Sequence, residues 1–380
     1  MTPPTASHPL HRYGWNDAFA TDFGPYEADG LRPGRVVRVD RGSCEAVVAE
    51  DGRVTSVRAG TGPVASPDPV RNPCTGDWVA LDLDQGVVRA LLPRRTAFVR
   101  AVSSQRSDGQ VLAANIDQVL IAVSLADELD LGRVERFLSL AWESGGQPVV
   151  VLTKADLVPD PVTLSYLAED TGKVAPGARV LSVSAATGQG MDALATLIGG
   201  GGGGGSGGGG DGEGGGTAVL LGVSGAGKST LANALTGADV QRVDVTRGGD
   251  GKGRHTTTTR DLLPLPGGGV LIDTPGLRGV GLWEADSGVA RAFTDIEALA
   301  RDCRFHDCSH RTEPECAVRG PAEDGTLPLR RLENYHKLLR ENERIAARSD
   351  ARLNEEMLRN WKQKKALGRH MRERKRGPQH

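Results

Sequence analysis

The string GVSGAGKST at 222–230 stands after, not before, the string TKAD at 153–156, and no other feature restricts the fold as much as that order. Each string follows an apolar run, TAVLLG or VVVL, and the first leads into KSTLANALTG, which reads as a helix. A strand, a loop of the form G-x-x-x-x-G-K-[ST] and a helix make a phosphate cradle. The glycines let successive backbone N–H groups turn inward, and the helix N-terminus adds positive potential. The expected phosphate-binding set is Gly222, Val223, Ser224, Gly225, Ala226, Gly227, Lys228, Ser229 and Thr230. Lys228 would neutralise the β- and γ-phosphates, and Ser229 would ligate Mg2+.

The cradle does not choose a nucleobase, and TKAD supplies the choice. The Asp156 carboxylate can accept hydrogen bonds from guanine N1–H and the 2-amino group; adenine offers neither, and an unpaired buried carboxylate is costly. Lys154 can lay its stem along the base. One β–α unit later, SVSA at 182–185 is expected to support the base through backbone contacts at Ser184 and Ala185. Thr153, Lys154, Ala155 and Asp156 with Ser184 and Ala185 therefore form the expected guanine-reading set. A P-loop metabolic kinase or ATPase would have no use for it.

LIDTPG at 271–276 ends an apolar strand with Asp273, suited to the Mg2+ shell, and Gly276 can offer its N–H to the γ-phosphate. GKGRHTTTTRD at 251–261 suits a segment that closes over γ-phosphate and Mg2+ through a Thr hydroxyl, with Thr257 the candidate. The parts thus arrive as base-reader, base-support, phosphate loop, first switch and second switch. An ordinary GTPase has the last three first. Joining its termini and cutting after the second switch gives this order. The nearly pure glycine run 199–216 sits where that join must be, as a flexible connector reaching roughly 20–25 Å across an expected gap.

The flanks differ in texture. GRVVRVD, CEAVVAED, RVTSVRAG, TGDWVALD and GVVRALLP, within 34–100, read as five short strands of a small barrel. An OB-fold fits, and an SH3-like barrel is not excluded by strand count. YGWNDAFATDF near the start suits a short helix. Strands and helices alternate from DQVLIAVSL onward, predicting a parallel sheet covered on both faces. After 283 the chain reads as helical, and no Pro or Gly interrupts 329–367. Cys303, Cys308, His310 and Cys316 offer three thiolates and an imidazole, a closed tetrahedral set for a structural Zn2+; His306 is the rival nitrogen. Zinc would stand in for a core so short a segment cannot build. At 25% charged and 38% hydrophobic residues, with no long apolar stretch, a membrane span is not expected. The start has no apolar signal-type core, so the cytoplasm is the expected compartment. Lys362, Lys364, Lys365, Arg369, Arg372, Arg374, Lys375 and Arg376 make the end cationic, which suits either a polyanion partner or a solvated tail.

YGWND, TGDWVAL, TKADL, GVSGAGKSTLAN, GRHTTTTR, DTPGLRGVGLW and the cysteine cluster, in this permuted order, resemble the ribosome small-subunit-dependent GTPase A family (RsgA, or YjeQ) over roughly 11–345. The resemblance implies a multidomain α/β protein: an N-terminal OB-fold β-barrel, a central circularly permuted P-loop GTPase domain with a parallel sheet, and a C-terminal helical zinc-binding domain. The expected boundaries are 1–30, 31–100, 101–283, 284–348 and a basic tail at 349–380. It also implies slow GTP hydrolysis stimulated by the small (30S) ribosomal subunit late in that subunit's maturation, with rRNA bound by the barrel and zinc domain. A monomer is expected, using GTP with Mg2+ and one Zn2+. Where many GTPases place a water-orienting Gln after D-x-x-G, this chain has Leu277, which cannot hydrogen-bond water. His255 is similar to a family histidine given that role, and it is the expected catalytic group with Thr257. The long glycine insertion departs from the family's usual short connection.

Overall fold

The computed structural model describes residues 8–101, 109–200, 215–237, 260–273 and 286–349. The first helix, α1 (Asp17–Glu27), begins where the Asn16 side chain accepts the Phe19 N–H. Its Phe19 and the preceding Trp15 pack on Trp78, and Phe23 meets Trp15 edge-on, in one apolar cluster with barrel residues. The barrel consists of β1 (Arg32–Asp40), β2 (Ser43–Glu50), β3 (Arg53–Gly60), β4 (Trp78–Asp82) and β5 (Val87–Leu91), in the order β1-β2-β3-β5-β4. Alternation drives it: Cys44, Ala46 and Val48 of β2 are all buried inside. The five expected strands form the OB-type barrel, which is closed, β3 meeting β5 at Gly60 and Val87. A hairpin that the sequence pattern did not mark, β6 (Ala97–Ala101) with β7 (Gly109–Ala114), leads from the barrel to the sheet.

The sheet comprises β8 (Gln118–Ser124), β9 (Gln147–Thr153), β10 (Arg179–Ser182), β11 (Thr217–Leu221), β12 (Asp261–Pro264) and β13 (Val270–Asp273). Helices α2 (Leu131–Glu143), α3 (Pro161–Val174), α4 (Met191–Ile198) and α5 (Lys228–Thr236) connect or follow these strands. The strand order is β10-β9-β8-β11-β13-β12, parallel except for β12 at one edge. Near-continuous apolar strands such as β8, β9 and β11 are what a sheet buried on both faces requires. The central pair, β8 and β11, comes from opposite sides of the glycine run, so the permuted order closes into one sheet.

The join is not a gap. Gly216 N–H donates to the Ile198 carbonyl at 2.9 Å, and the Gly216 carbonyl accepts from Val270 N–H at 2.9 Å. The two ends of the glycine run therefore meet. At the return end glycine answers a steric need, since a Cβ on Gly215 would stand 2.1 Å from Gly269 N.

Beyond the sheet lie α6 (Asp286–Ala292), α7 (Thr294–Ala300), α8 (Arg319–Asp324) and α9 (Leu329–Ser349). Their Phe293, Ile296, Val318, Leu332, Tyr335 and Leu338 join Phe137 and Leu138 of α2 in one core. The continuation of α9 expected toward 367, and the basic tail, lie outside the described residues.

Candidate nucleotide site and metal centre

The phosphate loop forms as its sequence demands. β11 runs into Gly222, and Gly225 and Gly227 take φ of 80° and 81° before α5 begins at Lys228. These left-handed angles suit glycine and let the loop curl with its N–H groups inward. Gly222 also passes so near β8 that a Cβ would lie 2.5 Å from the Ala122 carbonyl. Lys228 Nζ donates to the Gly222 and Val223 carbonyls at 2.8 and 2.6 Å, which holds its ammonium across the mouth of the loop. Ala226 is buried, Ser229 is half-buried at the start of α5, and Ser224 and Thr230 are exposed.

The base-reading loop stands beside it. Thr153 ends β9, and its hydroxyl lies 2.9 Å from the Ala226 carbonyl and 3.3 Å from that of Val123. This contact ties residues 73 positions apart and sets the two loops side by side. Lys154 takes the left-handed conformation, φ 60°, which turns the chain so that Asp156 is exposed while Ala155 is buried. Such a φ at a non-glycine residue costs free energy and needs surrounding structure to hold it. That structure is the next loop: Ala155 N–H donates to Val183 O, and Val183 N–H to Leu152 O. Ser184 is buried, with its N–H on Gln189 O, its carbonyl accepting from Gly188 and its hydroxyl accepting from Thr187. Its backbone is thus committed within its own turn, and Ala185 is the one at the rim.

Asp273 closes β13 and pairs in register with Asp261 of β12. His255, Thr257 and Gly276 lie outside the described residues, as does Leu277.

The metal centre draws on a different economy of structure. Cys303, Cys308, His310 and Cys316 bring their ligand atoms within 4.8 Å of one another and can hold a metal ion. The Cys303 and Cys316 sulfurs are 3.9 Å apart, and His310 Nδ1 lies 3.6 and 3.4 Å from them. His306 is exposed and outside this group. Burial lowers the His310 imidazole and favours its neutral, ligating form. Burial opposes ionisation of Cys316, but N–H groups of Arg319 and Val318 outweigh it and lower the thiol. The loop is set by Glu313, whose carboxylate accepts from the Ser309 hydroxyl and N–H, and from Arg311 and Thr312 N–H. Those bonds hold Glu313 well below the usual carboxylate range.

Residues with no sequence signal also shape the site. Arg35, on β1, is buried and donates to Tyr13 O at 2.5 Å, Asn115 O at 3.1 Å and Thr217 Oγ1 at 3.0 Å. Burial lowers its guanidinium to about 10, against the pull of Asp117 and Asp77, so it stays charged at neutral pH. It anchors the root of β11, the strand that carries the phosphate loop. Only an arginine within an apolar strand hinted at it, and that pattern has many other meanings.

Residues 91–283 match the RsgA GTPase family. The chain is 60% identical over 375 residues to the small ribosomal subunit biogenesis GTPase RsgA of Streptomyces avermitilis, covering 98% of this chain and 96% of that one. It is 58% identical over 379 residues to the protein of the same name from Streptomyces coelicolor, covering 98% of each. Among solved structures it is similar to YjeQ from Thermotoga maritima, with a TM-score of 0.58 at 25% identity over 82% of this chain and 98% of that one. The fold is also that of YloQ, described as a circularly permuted GTPase, with a TM-score of 0.58 at 23% identity over 82% and 95%.

Proposed function

The chain belongs to the RsgA GTPase family, and from that premise we propose that it hydrolyses GTP in late maturation of the small (30S) ribosomal subunit. One observation carries the reading: Thr153, beside the base-reading Asp156, touches Ala226 of the phosphate loop, so base and phosphates of one nucleotide have adjoining receptors. Asp156 reads guanine, Lys154 lies along the base and Ala185 borders it. The loop Gly222–Thr230 wraps the phosphates. Lys228 leaves the Gly222 and Val223 carbonyls for the β- and γ-phosphates, and Ser229, Thr257 and Asp273 serve Mg2+. Gly276 meets the γ-phosphate, and His255 orients the attacking water where Leu277 cannot.

The ion at the metal centre is zinc. Ligand bonds of about 2.3 Å to sulfur and 2.0–2.1 Å to nitrogen in a tetrahedron give S–S and S–N edges of about 3.8 and 3.5 Å. The separations of 3.9, 3.6 and 3.4 Å support that ion. A filled Cys3His shell leaves no open position, so the role is structural. The barrel 31–100 and the zinc domain 284–348 hold rRNA around the GTPase domain 101–283. The chain works on the ribosome as a cytoplasmic monomer; no helix among the described residues is long and apolar enough to cross a membrane.

GTP turnover by the purified chain, with and without isolated small subunits, tests the reading. Slow turnover that rises strongly with subunits is expected; a rate indifferent to them sinks the assembly role. Asp156→Asn should lower the GTP-over-ATP preference by at least about tenfold, because the carboxylate is the acceptor for guanine's donors. His255→Ala should abolish stimulated hydrolysis and leave nucleotide affinity within about threefold, the mark of a group acting in the transition state.

A further inference from the structure

The edge of the sheet beside β13 is β12. It has four residues, sits at the sheet edge and pairs with β13 alone. Its first residue, Asp261, is the register partner of Asp273.

The barrel grips this strand at two points. Arg38 Nε donates to Asp261 Oδ1 at 2.5 Å, and the Thr75 hydroxyl donates to the Arg260 carbonyl at 3.0 Å. A bulge between Val36 and Arg38 breaks the β1–β2 register, and bulges of this kind re-aim the side chains that follow. Behind β13, a Cβ on Gly76 of the barrel would stand 3.0 Å from Ile272 Cδ1. With Arg38 41% and Asp261 26% exposed, the pair adds little stability. Its value lies in where it holds the chain.

We propose that Arg38 and Thr75 are positioning residues for GTP hydrolysis. They fix β12 and, through the Asp261–Asp273 pairing, the Mg2+-side carboxylate at the end of β13. This rests on the Mg2+ role assigned above to Asp273. A displacement of about 1 Å there is enough to slow chemistry without loosening nucleotide binding.

The test is steady-state GTP turnover by the full-length chain, for Arg38→Ala, Asp261→Ala, Thr75→Val, Arg38→Lys and the double variant Arg38→Ala/Asp261→Ala. Mg2+-dependent turnover of GTP by the unaltered protein comes first, since its absence refutes the pocket reading, whereas the variants address the clamp. The three single truncations should each lower kcat by about 3–10-fold with KM for GTP within about twofold. The double variant should be no worse than the weaker single, and Arg38→Lys should keep most of the rate. Unchanged kcat, additive losses in the double variant, or effects confined to KM overturn the proposal.

Discussion

Where the C-terminal helices meet the sheet, apolar packing runs without a break from Val150 and Leu152 of β9, through Phe137 and Leu138 of α2, to Phe293, Leu332 and Leu338. Charge is buried there too. Glu135 on α2 is 0% exposed and Arg331 on α9 2%, with Arg331 Nη1 donating to Glu135 at 2.8 Å and its Nε to Asp295 at 2.6 Å. Burial opposes the Arg331 charge, but these partners outweigh it and raise its guanidinium above the ordinary value. The barrel side is built otherwise. It keeps two clusters of its own, around Trp78 and around Val36, and meets the sheet through the guanidinium groups of Arg35 and Arg38. Apolar contact among the described residues is limited to the partly buried Tyr13 and Val37 and the approach of Gly76 to Ile272. A shared core makes two regions one cooperative unit, while a few polar hooks leave a neighbour its own stability. The metal-binding region is thus continuous with the pocket's base-reading side, and the barrel is hooked to the strands of its phosphate side.

The largest expected effect breaks the first interface. Glu135→Ala leaves buried Arg331 without one of its two carboxylate partners, and a loss of about 3–5 kcal/mol in chemical denaturation is expected. A loss near that of an exposed ion pair would show the interface to be loosely coupled. Metal removal should act on the same unit. Chelation, or Cys316→Ser, should strip hydrogen-exchange protection from α8 and α9 and from α2 behind them, with barrel amides unaffected. Protection lost in the barrel as well would erase the contrast.

Arg35→Met tests the other interface. It leaves the Tyr13 and Asn115 carbonyls without their buried donor, at a cost of about 1–3 kcal/mol, and should split the thermal transition so that the barrel melts separately. A single transition would mean the hooks matter less than the apolar contact around Gly76. The smallest effect belongs to the glycine run. Because Gly216 already bonds the carbonyl of Ile198, the residue just before the run, deleting 201–210 should change stability by less than about 1 kcal/mol and leave GTP turnover intact. Gly215→Ala should cost more than that deletion, since its Cβ meets backbone.

The motifs behind the proposed ligand chemistry stand out in the sequence because they are local. Phosphate cradle, base-reader and metal knuckle each use residues within a short span, with spacing set by bond lengths and loop geometry, so GVSGAGKST, TKAD and Cys303 to Cys316 can be read directly. The barrel strands were legible by alternation, and the shuffled motif order announced the permutation. The hairpin β6–β7 and the edge strand β12 carried no such mark, one being partly apolar throughout and the other only four residues long.

By itself, then, the amino-acid order marked the groups proposed to meet a nucleotide and those that can hold a metal ion, for both sets are chosen by chemistry that acts over a few residues. Tertiary structure decided what holds them. Arg35 reaches a residue 182 positions away, Arg38 one 223 away and Arg331 one 196 away. Nothing in the neighbourhood of an arginine tells which distant carbonyl or carboxylate will be buried against it. Tertiary structure also closed the glycine run on itself, because the ends of α4 and β11 are neighbours only once the sheet has formed.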